Sequence, residues 1–75
     1  FNPETTIKYS LKEEGKVSLK VFNSQGKMVA NLVNGVLSAG SHEAHWNALN
    51  MPSGIYFYKL ETTDFSQTKK MLLIK

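Results

Sequence analysis

Thr5-Thr6-Ile7-Lys8-Tyr9-Ser10-Leu11 and Lys16-Val17-Ser18-Leu19-Lys20-Val21-Phe22 decide the fold. In the first stretch Ile7, Tyr9 and Leu11 alternate with Thr6, Lys8, Ser10 and Lys12. In the second, Val17, Leu19 and Val21 alternate with Lys16, Ser18 and Lys20. A period of two belongs to a half-buried strand, whose successive side chains point to opposite faces. Glu13-Glu14-Gly15 separates the runs as a turn, with Gly15 able to take a positive φ. The pattern predicts a hairpin with one apolar face and one lysine-rich face.

After the second run, Asn23-Ser24-Gln25-Gly26 fits a type I turn followed by a left-handed glycine. Residues 27–33 suit a strand or one helical turn, and their β-branched content between turn signals favours the strand. Asn34-Gly35 reads as a turn, Val36-Leu37 as a short further strand, and Ala39-Gly40 as another turn. Residues 41–47 alternate again, with His42, Ala44 and Trp46 on one face and Ser41, Glu43, His45 and Asn47 on the other. A loop from Ala48 to Gly54 precedes the aromatic run Ile55-Tyr56-Phe57-Tyr58-Lys59-Leu60-Glu61-Thr62. Asp64 lies in the last turn and residues 65–74 form the last strand.

In residues 55–62, Lys59 and Glu61 set the outward parity and place Tyr56, Tyr58 and Leu60 inward. Ile55 and Phe57 share the outward parity. A strand apolar on both faces is central in its sheet, or covered by a neighbour. Six or seven strands, a turn every 8–12 residues and no convincing helix describe an all-β, Ig-like antiparallel β-sandwich. The expected core is Ile7, Tyr9, Leu11, Val17, Leu19, Val21, Leu32, Trp46 and Leu60.

Composition narrows the function. With 75 residues there is room for one domain, spanning 1–75, without an internal repeat or linker. A fold of this size buries only about 60% of the surface its unfolded chain exposes. Apolar residues make up 41% and charged residues 20%, a globular balance. There is no cysteine, so disulfides, thiolate nucleophiles and Cys-ligated metals are excluded. The longest aliphatic run, Met71-Leu72-Leu73-Ile74, is far too short to cross a membrane. No charged segment precedes an apolar one as in a signal peptide. The net charge is +3, with all nine cations lysine. Arginine, the bidentate reader of phosphate and guanine, is absent, so the lysines read as a solvated, edge-protecting surface rather than a nucleic-acid site.

Catalytic chemistry finds little support. Glu4, Glu13, Glu14, Glu43, Glu61 and Asp64 fall in turns or on outward strand positions. His42 and His45 are three apart, which on a strand sends them to opposite faces and denies them a shared metal. No nucleophile elbow or phosphate-cradling glycine loop is present. No cofactor and no enzymatic activity are expected. Trp46, Tyr9, Tyr56 and Tyr58 could stack on sugars if exposed in a row, or pack as core.

The words of this chain resemble a known family in their order. Phe1-Asn2-Pro3-Glu4-Thr5-Thr6-Ile7-Lys8-Tyr9-Ser10-Leu11 is similar to the tail of the Asn-Pro-Phe-Asn-Pro-x-Thr-x-Ile opening of type IX secretion C-terminal sorting domains, type A. The opening Asn-Pro half of that motif is missing. Val17 to Asn23 and Gln25 to Val29 resemble the family's second hairpin. Leu32-Val33-Asn34-Gly35, Ala39-Gly40-Ser41-His42, Trp46-Asn47, Ser53 to Leu60 and the terminal Lys70 to Lys75 follow in order. The Ig-like domain of the flagellar hook-capping protein shares several of these words.

The resemblance implies delivery. Such domains end large secreted proteins of the Bacteroidetes group and its neighbours, which cross the inner membrane with their own N-terminal signal. The domain folds in the periplasm and is recognised by the outer-membrane machinery. A sortase-like peptidase then removes it, and the cargo stays at the cell surface or is secreted. Carried onto this chain, the recognition elements are Lys69, Lys70, Met71, Leu72, Leu73, Ile74 and Lys75, together with the Gly54–Leu60 strand. Gly26, Gly40, Trp46, Gly54 and Tyr56 are the structural motif positions. The fragment is expected to come from a larger protein whose natural terminus is Lys75. A structural Ig-like module or spacer and a carbohydrate-binding accessory module are the alternatives.

Overall fold

A computed structural model describes residues 3–74. Six strands form: β1 (Glu4–Leu11), β2 (Gly15–Asn23), β3 (Met28–Leu37), β4 (Gly40–Asn47), β5 (Gly54–Thr62) and β6 (Ser66–Leu73). They build a two-stranded sheet, β1-β4, and a four-stranded sheet in the order β3-β2-β5-β6, with every pairing antiparallel. The sheets face one another across a shared core, the all-β Ig-like sandwich that alternation predicts.

The expected hairpin between β1 and β2 does not form. β1 pairs with β4, and β2 pairs with β3 and β5. The corner at Lys12-Glu13-Glu14 carries the chain from one sheet to the other. A hairpin would set the two apolar faces side by side in one sheet. The corner sets Ile7, Tyr9 and Leu11 against Val17 and Leu19, which removes both faces from water at once. Gly15 is not among the glycines of positive φ.

Residues 28–37 also depart from expectation, forming one strand with Asn34-Gly35 inside it. Gly35 lies opposite Val17 and Asn34 opposite Ser18. Register slips after Leu19 and after Val21 leave Leu32 and Val29 as extra residues on β3. Across these bulges the exposed residues of β3, Met28, Asn31 and Asn34, are spaced by three, and the period returns to two at Val36. That spacing is why the segment reads as either strand or helical turn.

Eight of the nine expected core residues are buried, and Leu32 is half-buried against both core clusters. Ala44, Ala48, Tyr56 and Leu73 join them. One cluster gathers around Leu19, with Ile7, Tyr9, Leu11, Val17, Ala44 and Leu60. The other gathers Val21, Trp46, Ala48, Tyr56 and Leu73 at the end where β1 begins and β6 finishes. Trp46 and Tyr56 meet edge to face, ring centroids 5.2 Å apart at 66°. Near the start of β5 the Tyr56 hydroxyl donates to the Pro52 carbonyl at 2.6 Å. A tyrosine bonded back to the chain upstream of its strand pins the corner of an Ig-like sandwich.

Turn chemistry follows the sequence at the β2–β3 connection. Asn23 Oδ1 accepts from the backbone N–H of Gln25 and Lys27 at 2.9 and 3.0 Å. Gly26 closes the turn at φ 84°, a left-handed value that a side chain would strain. Gly40, at φ 119°, starts β4 in a backbone region that disfavours other residues.

Candidate functional site

The predicted recognition segment lies on β6, at the edge of the four-stranded sheet. Its residues do not share one environment. Lys69 and Lys70 are exposed, Met71 is half-buried, Leu72 is 53% exposed and Ile74 is 59% exposed. Leu73 is buried at 1%, packed with Val21, Trp46 and Tyr56. Lys75 lies outside the described residues, as do Phe1 and Asn2 of the opening motif. The alternation of the strand explains the division. Leu73 pairs with Gly54 on the inner parity, and Leu72 pairs with Ile55 on the outer. Both faces of this strand are apolar in sequence, and only the pairing assigns Leu73 to the core.

The Gly54–Leu60 portion of β5 runs between β2 and β6. Tyr56 and Leu60 are buried, while Ile55 is 43% exposed and Phe57 half-buried on the opposite face. The two apolar faces read from the sequence are therefore real, and the inner one is core. Of the structural motif positions, Trp46 and Tyr56 are core. Gly26 and Gly40 hold positive φ, and Gly54 opens β5.

The outer face of the four-stranded sheet carries a feature that no single strand reveals. Met28, Phe22, Phe57 and Lys70 are successive partners across β3, β2, β5 and β6. The Ile55–Leu72 pair lies beside them, nearer the end of β6. The next row inward from Phe22 and Phe57 is Lys20 opposite Lys59. Lys59 Nζ reaches Glu61 Oε1 at 3.8 Å, on half-exposed side chains.

Acid–base and metal chemistry find no constellation among the described residues. No group of three or more His, Cys, Asp and Glu side chains could hold a metal there. His42 stacks on Tyr9 with ring centroids 5.6 Å apart, and its Nε2 lies 2.7 Å from the Ser38 carbonyl. His45 is on the opposite face, with Nδ1 at 2.8 Å from Thr6 Oγ1. A cleft of about 400 Å³ between the β1–β2 corner and the β5–β6 turn is lined by Leu11, Val17 and Phe65 beside Lys12, Glu13 and Asp64. Thr62 Oγ1 there accepts from the Asp64 and Phe65 N–H groups, so its polarity serves the turn. Tyr9, Trp46 and Tyr56 are buried and Tyr58 half-buried, which removes the exposed aromatic row a sugar platform needs. Burial also raises the Tyr9 phenol above the ordinary tyrosine value.

Against known proteins, a family model described as secretion system C-terminal sorting domain matches residues 2–75. No curated protein matches. Among solved structures, the chain is similar to the Ig1 domain of mouse SynCAM 2 at a TM-score of 0.49 and 16% identity. That similarity covers 93% of this chain and 79% of that one.

Proposed function

Because this chain belongs to the secretion system C-terminal sorting domain family, we propose that it carries its parent protein through the outer membrane by being read as a folded signal. The family assigns it the sorting-signal role of a type IX secretion system, which is non-catalytic, and a destination at the cell surface or outside the cell. Beyond that, our reading is that residues 1–75 form one domain of a larger secreted protein. The domain folds in the periplasm, where its lack of cysteine frees folding from oxidation. The machinery reads β6 and the residues up to Lys75. A sortase-like peptidase then removes the domain and leaves the cargo at the surface. A match to nearly the whole chain, 2–75, is the observation that carries this reading. The edge position of β6 supports the choice of recognition segment, since an edge strand can accept a partner strand.

The burial of Leu73 dictates the test. Deleting Leu73 would empty the core and confound export with unfolding. Ile74 is exposed, so removing Ile74 and Lys75 alone leaves Leu73 and the rest of the described core in place. In a host with type IX machinery, a periplasmic reporter fused to the full chain should reach the surface. The fusion lacking Ile74-Lys75 should stay in the periplasm while the domain still melts cooperatively. Equal surface display of both fusions would remove the tail from the signal.

A further inference from the structure

We propose that the outer face of the four-stranded sheet, centred on Phe22, Phe57, Ile55 and Leu72, is a docking face for a protein of the secretion machinery. That partner presents an apolar centre ringed by carboxylates. The inference rests on the sorting-domain reading and adds a second surface to it, a sheet face beside the C-terminal segment.

Three observations converge on this face. The first is its apolar content. Met28, Ile55 and Leu72 are 50%, 43% and 53% exposed, and the half-buried rings of Phe22 and Phe57 join them across the sheet. Contiguous exposed apolar surface of this kind marks an interaction site in a soluble domain.

The second is charge. Among the described residues the strands contribute Lys16, Lys20, Lys59 and Lys70 to this face against the single carboxylate of Glu61. Lys27 stands at the turn beside Met28. Lys20 and Lys59 are direct cross-strand partners, a like-charge pair that the half-exposed contact of Lys59 with Glu61 at 3.8 Å offsets only weakly. Carboxylates arriving from outside would relieve it. The same lysines argue against a second copy of this chain, because two such faces pressed together would oppose cation to cation.

The third is shape. Phe22 and Phe57 are half-buried cross-strand partners in the middle strands of the sheet, a surface of the kind that packs against another protein layer.

The test uses full-length fusions of this chain to a periplasmic reporter in a host with type IX machinery. One variant is Ile55→Thr with Leu72→Thr, which removes apolar surface and keeps β-compatible residues. The other is Lys20→Glu, which sets an acid opposite Lys59 and so should not lower the melting midpoint. Each variant should melt cooperatively and lose surface display at least tenfold relative to the intact fusion. If the intact fusion is displayed and both variants match it, the docking face is wrong and the sorting reading stands. If the intact fusion itself is not displayed, the sorting reading fails and takes this inference with it. Binding of the intact domain to phosphatidylglycerol vesicles, lost in both variants, would assign the face to lipid and overturn the protein partner. Self-association lost in the variants with display unchanged would assign the face to a second copy and overturn the proposal in the same way.

Discussion

The outer faces of the two sheets obey different rules. On β1-β4, Glu4, Thr6, Lys8, Ser10, Ser41, Glu43, His45 and Asn47 are all exposed and all polar. Lys8 stands opposite Glu43 and Thr6 bonds His45. On β3-β2-β5-β6, Phe22 stands opposite Phe57, Ile55 opposite Leu72 and Lys20 opposite Lys59. The first face satisfies itself, with apolar residues inside and complementary polar pairs outside. The second places apolar surface where water meets it and sets like charges side by side. Both sheets draw on one core, so stability alone does not require the second face to look this way. The difference separates what holds the fold from what the fold presents.

The inner faces should carry the largest effects. Trp46→Ala removes a buried ring and its edge-to-face contact with Tyr56, at a cost of about 3–5 kcal/mol. In a chain of 75 residues that is most of the available stability. Urea titration of the variant should find little or no native baseline. An unchanged midpoint would refute the shared core. Tyr56→Phe keeps the ring and loses the bond to Pro52, costing about 1 kcal/mol, or roughly 4–8 °C in calorimetry.

A mirrored pair of charge reversals sharpens the contrast between the outer faces. Lys8→Glu creates a like-charge pair with Glu43 and should destabilise by about 0.5 kcal/mol, while Lys20→Glu relieves one and should stabilise by a similar amount. Denaturation midpoints at low salt read the sign. Surface display should respond in the opposite sense, kept by the Lys8 variant and lost by the Lys20 variant. The same direction in both assays would collapse the distinction between holding and presenting.

The smallest effect concerns pH. Burial raises the Tyr9 phenol above the ordinary tyrosine value of about 10. Between the unfolded and folded values the native state binds more protons, so this contribution is complete below about pH 10 and declines as pH rises through the folded value. Stability measured from pH 9 upward should fall, and Tyr9→Phe should flatten part of that fall.

Alternation made the strands legible, and five of the six lie within two residues of their predicted bounds. Pairing was not legible. Ile7-Tyr9-Leu11 and Val17-Leu19-Val21 alternate equally well in a hairpin or across an inter-sheet corner, since alternation fixes a face and says nothing of the neighbour. Asn34-Gly35 carries a strong local turn signal that pairing with Ser18 and Val17 overrides. The small core residues Ala44 and Ala48 carry too little apolar surface to stand out in a pattern. The outward parity of Ile55 and Phe57 was visible. Met28, Phe22 and Leu72 join them only through the strand order, so the exposed face is a property of the fold and not of any segment.

The role as a sorting signal is tested most directly by display of one fusion in two hosts. A periplasmic reporter joined to the full chain should be exposed on cells with an intact type IX system, by protease shaving or antibody labelling of whole cells. It should remain periplasmic in an otherwise identical host lacking the outer-membrane translocon. Equal exposure in both hosts, or retention in both while the domain is shown to be folded, would contradict the account.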